Sequence, residues 1–251
     1  MRTIRETETI RPLDLSRYRH LFLLTGAGIS AASGLSTYRG PGGLWTQNDV
    51  ARIADARNLP DSLPDLWRLY RGRREQALRA EPNAAHHAIA TLQRNASSGQ
   101  TVTLVTQNVD GLHGRAGTPQ VVEMHGSAFR SRCRDPRCPT VPFPDTNLYD
   151  ETPRCSVCGG YLRPDVVLFN ESIPREILGT ILRALASCDL FLAVGTSGVV
   201  APAAEFVRGA ASIGARTINV NVEPSGNPAF GEEYVGPAEV VLPRLFGIVT
   251  S

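Results

Sequence analysis

The chain alternates short apolar runs with longer amphipathic stretches. His20-Leu21-Phe22-Leu23-Leu24-Thr25 is almost continuously hydrophobic and is closed by Gly26. A short apolar run without polar alternation predicts a strand buried on both faces of a parallel sheet. Similar runs predict strands at 102–106, 120–123, 190–194, 217–222 and 239–242. Helical spacing of apolar residues covers 84–93, 174–186 and 202–209 between them. Strand, helix, strand alternation predicts an α/β fold, a Rossmann-like parallel sheet covered on both faces.

Two segments break the alternation. Residues 36–81 are rich in Arg, Gly, Pro and Trp; residues 129–163 carry four cysteines and several prolines with little periodicity. The expected organisation is a Rossmann-like nucleotide-binding domain from residues 1–35, 84–128 and 165–251. A helical insertion (36–83) and a zinc-ribbon insertion (129–164) together form a smaller domain. The boundary between the two would be the ligand cleft.

Composition narrows the function classes. At 251 residues and 42% hydrophobic content, the chain can bury a full core. It has no run of 18 apolar residues, so no membrane span is expected. Residues 1–11 mix Arg, Glu and Thr without an apolar stretch, unlike a secretory signal. A net charge of +2 gives no case for nucleic-acid binding. A cytoplasmic location is the expectation. Every basic residue is arginine, so an enzyme acting on acyl-lysine could not act on itself.

The cysteines carry more. Cys155 and Cys158 are separated by two residues and followed by Gly159-Gly160; Cys133 and Cys138 stand four residues apart. Without a secretory signal, disulfides are not expected, and two such pairs predict a tetrahedral zinc held by four thiolates. With no position left open, the metal would be structural, holding a segment too poor in apolar periodicity to fold alone. Cys188 lies in an apolar context and reads as a small core residue.

Gly26-Ala27-Gly28 follows the first strand. Glycines there let backbone N–H groups approach a pyrophosphate, and a helix start favours its charge. The third glycine of the dehydrogenase fingerprint is absent and Ser33-Gly34 follows instead, which argues against hydride transfer. Gly195-Thr196-Ser197 and Asn221-Val222-Glu223 also sit after predicted strands, where open sheets bind ligands.

Gly26-Ala27-Gly28-Ile29-Ser30, Thr37-Tyr38-Arg39-Gly40, Thr106-Gln107-Asn108-Val109-Asp110-Gly111-Leu112-His113 and Glu123-Met124-His125-Gly126 occur in that order. Together they resemble the sirtuins, the NAD-dependent protein lysine deacylases, over about Leu21 to Leu245.

The resemblance implies NAD as cosubstrate, acylated protein lysines as substrates, and nicotinamide, lysine and 2′-O-acyl-ADP-ribose as products. It implies that Gly26, Ala27 and Gly28 approach the cofactor and that Ile29 lies against its carboxamide. Tyr38 would cover the reacting ribose carbon, and Arg39 would contact the phosphate or ribose region. Gln107 would bond the ribose, Asn108 and Asp110 would hold the nicotinamide end, and Asn108 would also sit near the ribose or a water. Gly195, Thr196, Ser197, Asn221 and Glu223 would hold the adenosine half. His125 would be the general base that deprotonates a ribose hydroxyl, a task suited to neutral imidazole near pH 7. Positioning the acyl oxygen beneath the ribose carbon would supply the rest, up to about 7–11 kcal/mol. His86 and His87 are expected in packing or surface roles, and His113 as a brace for its loop.

Leu69-Tyr70-Arg71-Gly72-Arg73-Arg74 resembles the desuccinylase and demalonylase branch, in which Tyr70 and Arg73 would grip an acyl carboxylate. Positions i and i+3 share a helix face, and charge-assisted bonds contribute about 1.5–3 kcal/mol each. Composition alone would read the same arginines as a solvated helix face. Ala54 would leave room for the acyl chain. Val166 to Phe169 would pair with the substrate backbone as an added strand. Leu168 replaces a common aromatic and Asn170 a usual glycine. The alternatives are an acetyl-preferring deacetylase, a mono-ADP-ribosyltransferase, and a non-enzymatic NAD-sensing zinc module.

Overall fold

The computed structural model describes residues 2–37, 48–59, 61–196, 198 and 203–248. Seven parallel strands form the main sheet: β1 (Arg2–Arg5), β2 (His20–Thr25), β3 (Thr101–Thr106), β4 (Val122–Glu123), β8 (Leu190–Val194), β9 (Arg216–Asn221) and β10 (Glu232–Val235). Their order is β1-β10-β9-β8-β2-β3-β4. β2 is buried from Leu21 onward because its two faces feed different cores. Leu21 and Leu23 pack under α3 (Ala84–Arg94) and α7 (Ala238–Leu245), with Ile89, Val241 and Leu242. Phe22 and Leu24 face α5 (Arg175–Ser187) and α6 (Ala203–Ser212), with Ile181 and Val207. This is the two-residue period of a strand. Phe22 stacks on Phe191 of β8 at 5.4 Å.

The run at 239–242 was expected to be a strand and is helical instead. Ala238, Val241, Leu242 and Leu245 are all buried. Their spacing is the three-and-four rhythm of a helix face, which a four-residue window of apolar residues conceals. The edge strands of the sheet are the N-terminal β1, paired to β10, and β4, paired to β3.

A second, antiparallel sheet has the order β6-β5-β7, built from β5 (Gly126–Cys133), β6 (Phe143–Pro144) and β7 (Leu162–Val166). α2 (Leu63–Arg79) packs on it through Leu66, Trp67 and Tyr70, with Ala54 from the end of α1 (Asn48–Ile53). Trp67 Nε1 donates to the Leu162 carbonyl at 3.0 Å. Gly126 has φ +76°, and a Cβ there would lie 2.1 Å from the Asp165 carbonyl oxygen, so β5 and β7 can meet at this point only through glycine. Among the described residues, no helix is long and apolar enough to cross a membrane.

Two arginines of α2 separate sharply. Arg74 is fully buried, with Nε donating to the Ala128 carbonyl at 2.6 Å, Nη1 to the Asn147 carbonyl at 2.6 Å, and the fork facing Asp145 at 3.4 Å. Arg68 is exposed beside Asp65. A uniformly solvated basic face is therefore not what this helix presents.

Candidate functional site

The sheet reverses its winding between β2 and β8, so the turns after these two strands share one crevice at the carboxyl ends. They touch. Gly26 N donates to the Val194 carbonyl at 3.0 Å and Gly28 N to the Gly195 carbonyl at 2.9 Å. A Cβ on Gly28 would meet Gly195 Cα at 2.7 Å, and one on Gly195 would meet Ile29 N at 2.3 Å. Two bare backbones are therefore needed here. The segment after Gly26 is a 3-10 helix, Ala27–Ser33, closed by Gly34 at φ +86°. The regular helix start expected from the glycine motif is replaced by this tighter turn.

Gln107 bridges the two turns, its Nε2 donating to Thr196 Oγ1 at 3.2 Å and to the Thr25 carbonyl at 3.4 Å. Asn108 is buried, and its Nδ2 donates to the Gly26 carbonyl at 3.1 Å and to Ser30 Oγ at 3.2 Å. Ser30 donates onward to Asp110 Oδ2 at 2.8 Å. The Leu112 amide, at the start of α4 (Leu112–Arg115), donates to Asp110 Oδ1 at 3.0 Å. Burial raises the Asp110 carboxyl above its ordinary range, against these bonds. Ala27, Ser30, Asn108, Val109, Asp110 and Arg73 line one open cleft. Ile29 is turned away from it, fully buried in the core beneath α3. The apolar wall beside Asn108 is Val109, which sequence reasoning passed over.

His125 follows β4. Its Nδ1 lies 3.0 Å from the Gln107 carbonyl oxygen. A carbonyl can only accept, so Nδ1 carries the proton and neutral imidazole keeps its lone pair on Nε2. Burial lowers the His125 pKa, partly opposed by that bond, so the ring is neutral near pH 7. The site thus holds a base with a fixed tautomer one residue away from the Asn108 cluster.

The adenosine end is sparser. Asn221 Oδ1 accepts from the Val222 amide at 3.0 Å, and Glu223 is exposed. The following loop is fastened from below. The Ser225 amide donates to the fully buried Glu233 carboxylate at 2.8 Å, and Asn227 Nδ2 donates to the Gly198 carbonyl at 2.6 Å. No sequence motif marked Glu233. Tyr38, Arg39 and Ser197 lie outside the described residues.

Tyr70 is buried and Arg73 half-buried, with the guanidinium 5.3 Å from the Tyr70 ring centroid. Arg73 lines the same cleft as Ser30 and Asp110. Ala54 shares Tyr70's apolar cluster, as do Val166 and Leu168. Phe169 is 46% exposed.

The backbone from 166 to 169 is heavily used: the Val167 amide bonds the His125 carbonyl at 3.0 Å, and the Phe169 amide and carbonyl bond Ala54 and Ala56 at 2.9 and 3.0 Å. An added substrate strand has fewer open groups there than the sequence suggested. Asn170 has φ +62°, a left-handed conformation asparagine tolerates, which accounts for its standing in for glycine. Its Nδ2 donates to Asp55 Oδ2 at 3.1 Å.

The sulfurs of Cys133, Cys138, Cys155 and Cys158 all lie within 4.8 Å of one another, with Cys133–Cys158 at 3.5 Å and Cys138–Cys155 at 3.8 Å. A tetrahedron with arms of about 2.3 Å has edges of about 3.8 Å, so the four fit zinc. The Thr140 hydroxyl and the amides of Cys158 and Val157 pull the Cys155 thiol down to about 6, whereas burial pushes the Cys133 thiol up to about 12, so it is the sulfur geometry that points to the metal.

A family model described as Sir2 family matches residues 26–202. The chain is 44% identical over 232 residues to NAD-dependent protein deacylase 2 of Pyrobaculum aerophilum, covering 92% of this chain and 91% of that one. It is 38% identical to NAD-dependent protein deacylase sirtuin-5, mitochondrial, of Danio rerio, covering 91% of this chain and 82% of that one. A solved Sir2 homologue in complex with NAD superposes with a TM-score of 0.83 at 34% identity, over 93% of this chain and 90% of that one.

Proposed function

The chain belongs to the Sir2 family, and from that membership we propose that it is an NAD-dependent protein-lysine deacylase, removing succinyl or malonyl groups as well as acetyl groups. The observation that carries the reading is the His125–Gln107 bond beside the Asn108–Ser30–Asp110 cluster. Binding alone needs no base with a fixed tautomer.

When bound, NAD supplies a glycosidic carbon activated by its cationic nicotinamide and a ribose hydroxyl that receives the acyl group. Ser30, Asn108 and Asp110 hold the carboxamide end of that leaving group. Gly26, Ala27, Gly28 and Gly195, with Thr196 and Gln107, let the sugar-phosphate portion approach the backbone; Asn221 and Glu223 border the adenosine end. Nε2 of His125 takes the proton of the ribose hydroxyl, a contribution worth about 10²–10⁴ in rate. The four cysteines hold zinc away from this chemistry, where it fixes the fold of the small module. Free cysteines read as metal ligands also suit a reducing compartment such as the cytoplasm.

The acidic-acyl preference is supported by Arg73, which lines the shared cleft and lies over the Tyr70 ring, and by the small side chain of Ala54 in Tyr70's cluster, which leaves room for a longer acyl group. Phe169 offers an exposed apolar face to the substrate segment. The test is His125→Ala. Deacylation of acyl-lysine peptides falls by at least a hundredfold while NAD binding by calorimetry survives. Undiminished deacylation would sink the mechanism.

A further inference from the structure

His86, on the first turn of α3, is fully buried and touches the NAD-facing cluster from behind. Its Nδ1 lies 3.3 Å from the backbone nitrogen of Asn83. That N–H can only donate, so Nδ1 holds the lone pair and Nε2 carries the proton in the neutral ring. Nε2 lies 3.4 Å from Ser30 Oγ. Ser30 in turn donates to Asp110 at 2.8 Å, so its oxygen is left to accept, from His86 on one side and from Asn108 at 3.2 Å on the other. The donors and acceptors form one directed line from Asn83 through His86 and Ser30 to Asp110. The ring is held laterally by an edge contact with His113 at 4.9 Å between centroids.

The geometry points to His86 as a positioning residue for the nicotinamide end of NAD: it fixes the direction of the Ser30 hydroxyl, and Ser30 then fixes the Asp110 carboxylate. Burial keeps His86 neutral, with its pKa pushed down to about 4, so the tautomer does not change around pH 7. Without the histidine, the Ser30 hydroxyl is free to turn toward other acceptors and the carboxylate loses its orientation. The 3.4 Å separation marks a modest bond, and a neutral hydrogen bond of this kind corresponds to roughly a fivefold change in affinity.

The inference rests on the deacylase reading, and the experiment separates the two. Calorimetric dissociation constants for NAD and for ADP-ribose, which lacks nicotinamide, are compared in the wild type, His86→Leu, Ser30→Ala and the double variant. His86→Leu weakens NAD about fivefold and leaves ADP-ribose within twofold. In the Ser30→Ala background, removing His86 adds less than twofold. His86→Gln, whose amide can accept from Asn83 and donate to Ser30, restores NAD affinity. If His86→Leu does not fold, His86→Gln is compared with His86→Asn, which is too short to reach Ser30, and only the asparagine variant loses NAD. Equal losses for both ligands, or the same loss without Ser30, would overturn the positioning role. A wild type that binds neither ligand would overturn the deacylase reading instead.

Discussion

Replacing Arg74 with Met leaves the aliphatic volume of α2 in place and, among the described residues, removes the one cation paired with Asp145. Both side chains are essentially excluded from solvent, at 0% and 1% exposure. Asp145 keeps the Asn147 amide at 3.1 Å, the Ser131 hydroxyl and Tyr149 Oη at 3.3 Å, but none of these carries a charge. The carbonyls of Ala128 and Asn147 lose their donors, and Trp67 loses the guanidinium that sits 5.1 Å from its ring centroid. Breaking a buried pair from one side costs about 3–5 kcal/mol, mostly the stranded charge. In a chain of this size each kcal/mol moves Tm by about 2–4 °C, so Arg74→Met lowers it by about 6–20 °C. Arg74→Met combined with Asp145→Asn recovers part of the loss, because the uncompensated carboxylate is gone. The assay is calorimetric unfolding of the zinc-loaded protein. A single-variant loss below about 1 kcal/mol, or a double variant worse than both singles added, would refute the argument.

Its neighbour behaves oppositely: Arg73→Met leaves Tm within a few degrees and lowers kcat/KM for succinyl-lysine peptides at least tenfold more than for acetyl-lysine peptides. Equal losses on both would show that Arg73 does not hold a carboxylate. Chelation of zinc at neutral pH releases one metal per chain and unfolds the segment 129–164, read as loss of protection in hydrogen exchange; unchanged exchange there would exclude a structural metal. Burial lowers the His125 pKa, so the base stays deprotonated as pH falls to the ordinary histidine range. The acid limb of kcat/KM therefore lies below about pH 6.5, and a limb centred above 7 would contradict that environment.

What could be read from the chain was what depends on local rules. Strand ends closed by glycine located both halves of the crevice, because two backbones in contact leave no room for a Cβ at Gly28 and Gly195. The cysteine pairs announced the metal cluster because ligand spacing is a local constraint. What was hidden depends on long-range packing. Arg74 is preceded by Arg68, Arg71 and Arg73, and only the approach of Asp145, 71 residues away, distinguishes it from a solvated neighbour. Ile29 shares the glycine motif yet faces the core, since a 3-10 turn rotates side chains differently from the regular helix expected. The run at 239–242 was too short to separate strand from helix until Ala238 and Leu245 were seen buried with it. His86 carries a partial sequence signal, as the asparagine three residues before it marks a helix cap, but its bond to Ser30 does not.

The most direct test of the central claim is mass spectrometry of matched succinyl-, malonyl- and acetyl-lysine peptides incubated with the purified zinc-loaded protein, with and without NAD. The account predicts NAD-dependent loss of the acyl groups, faster for the acidic ones, with nicotinamide and 2′-O-acyl-ADP-ribose appearing in equal amounts. NAD consumption with every acyl group intact and ADP-ribose attached to protein would contradict it, and would make the chain an ADP-ribosyltransferase.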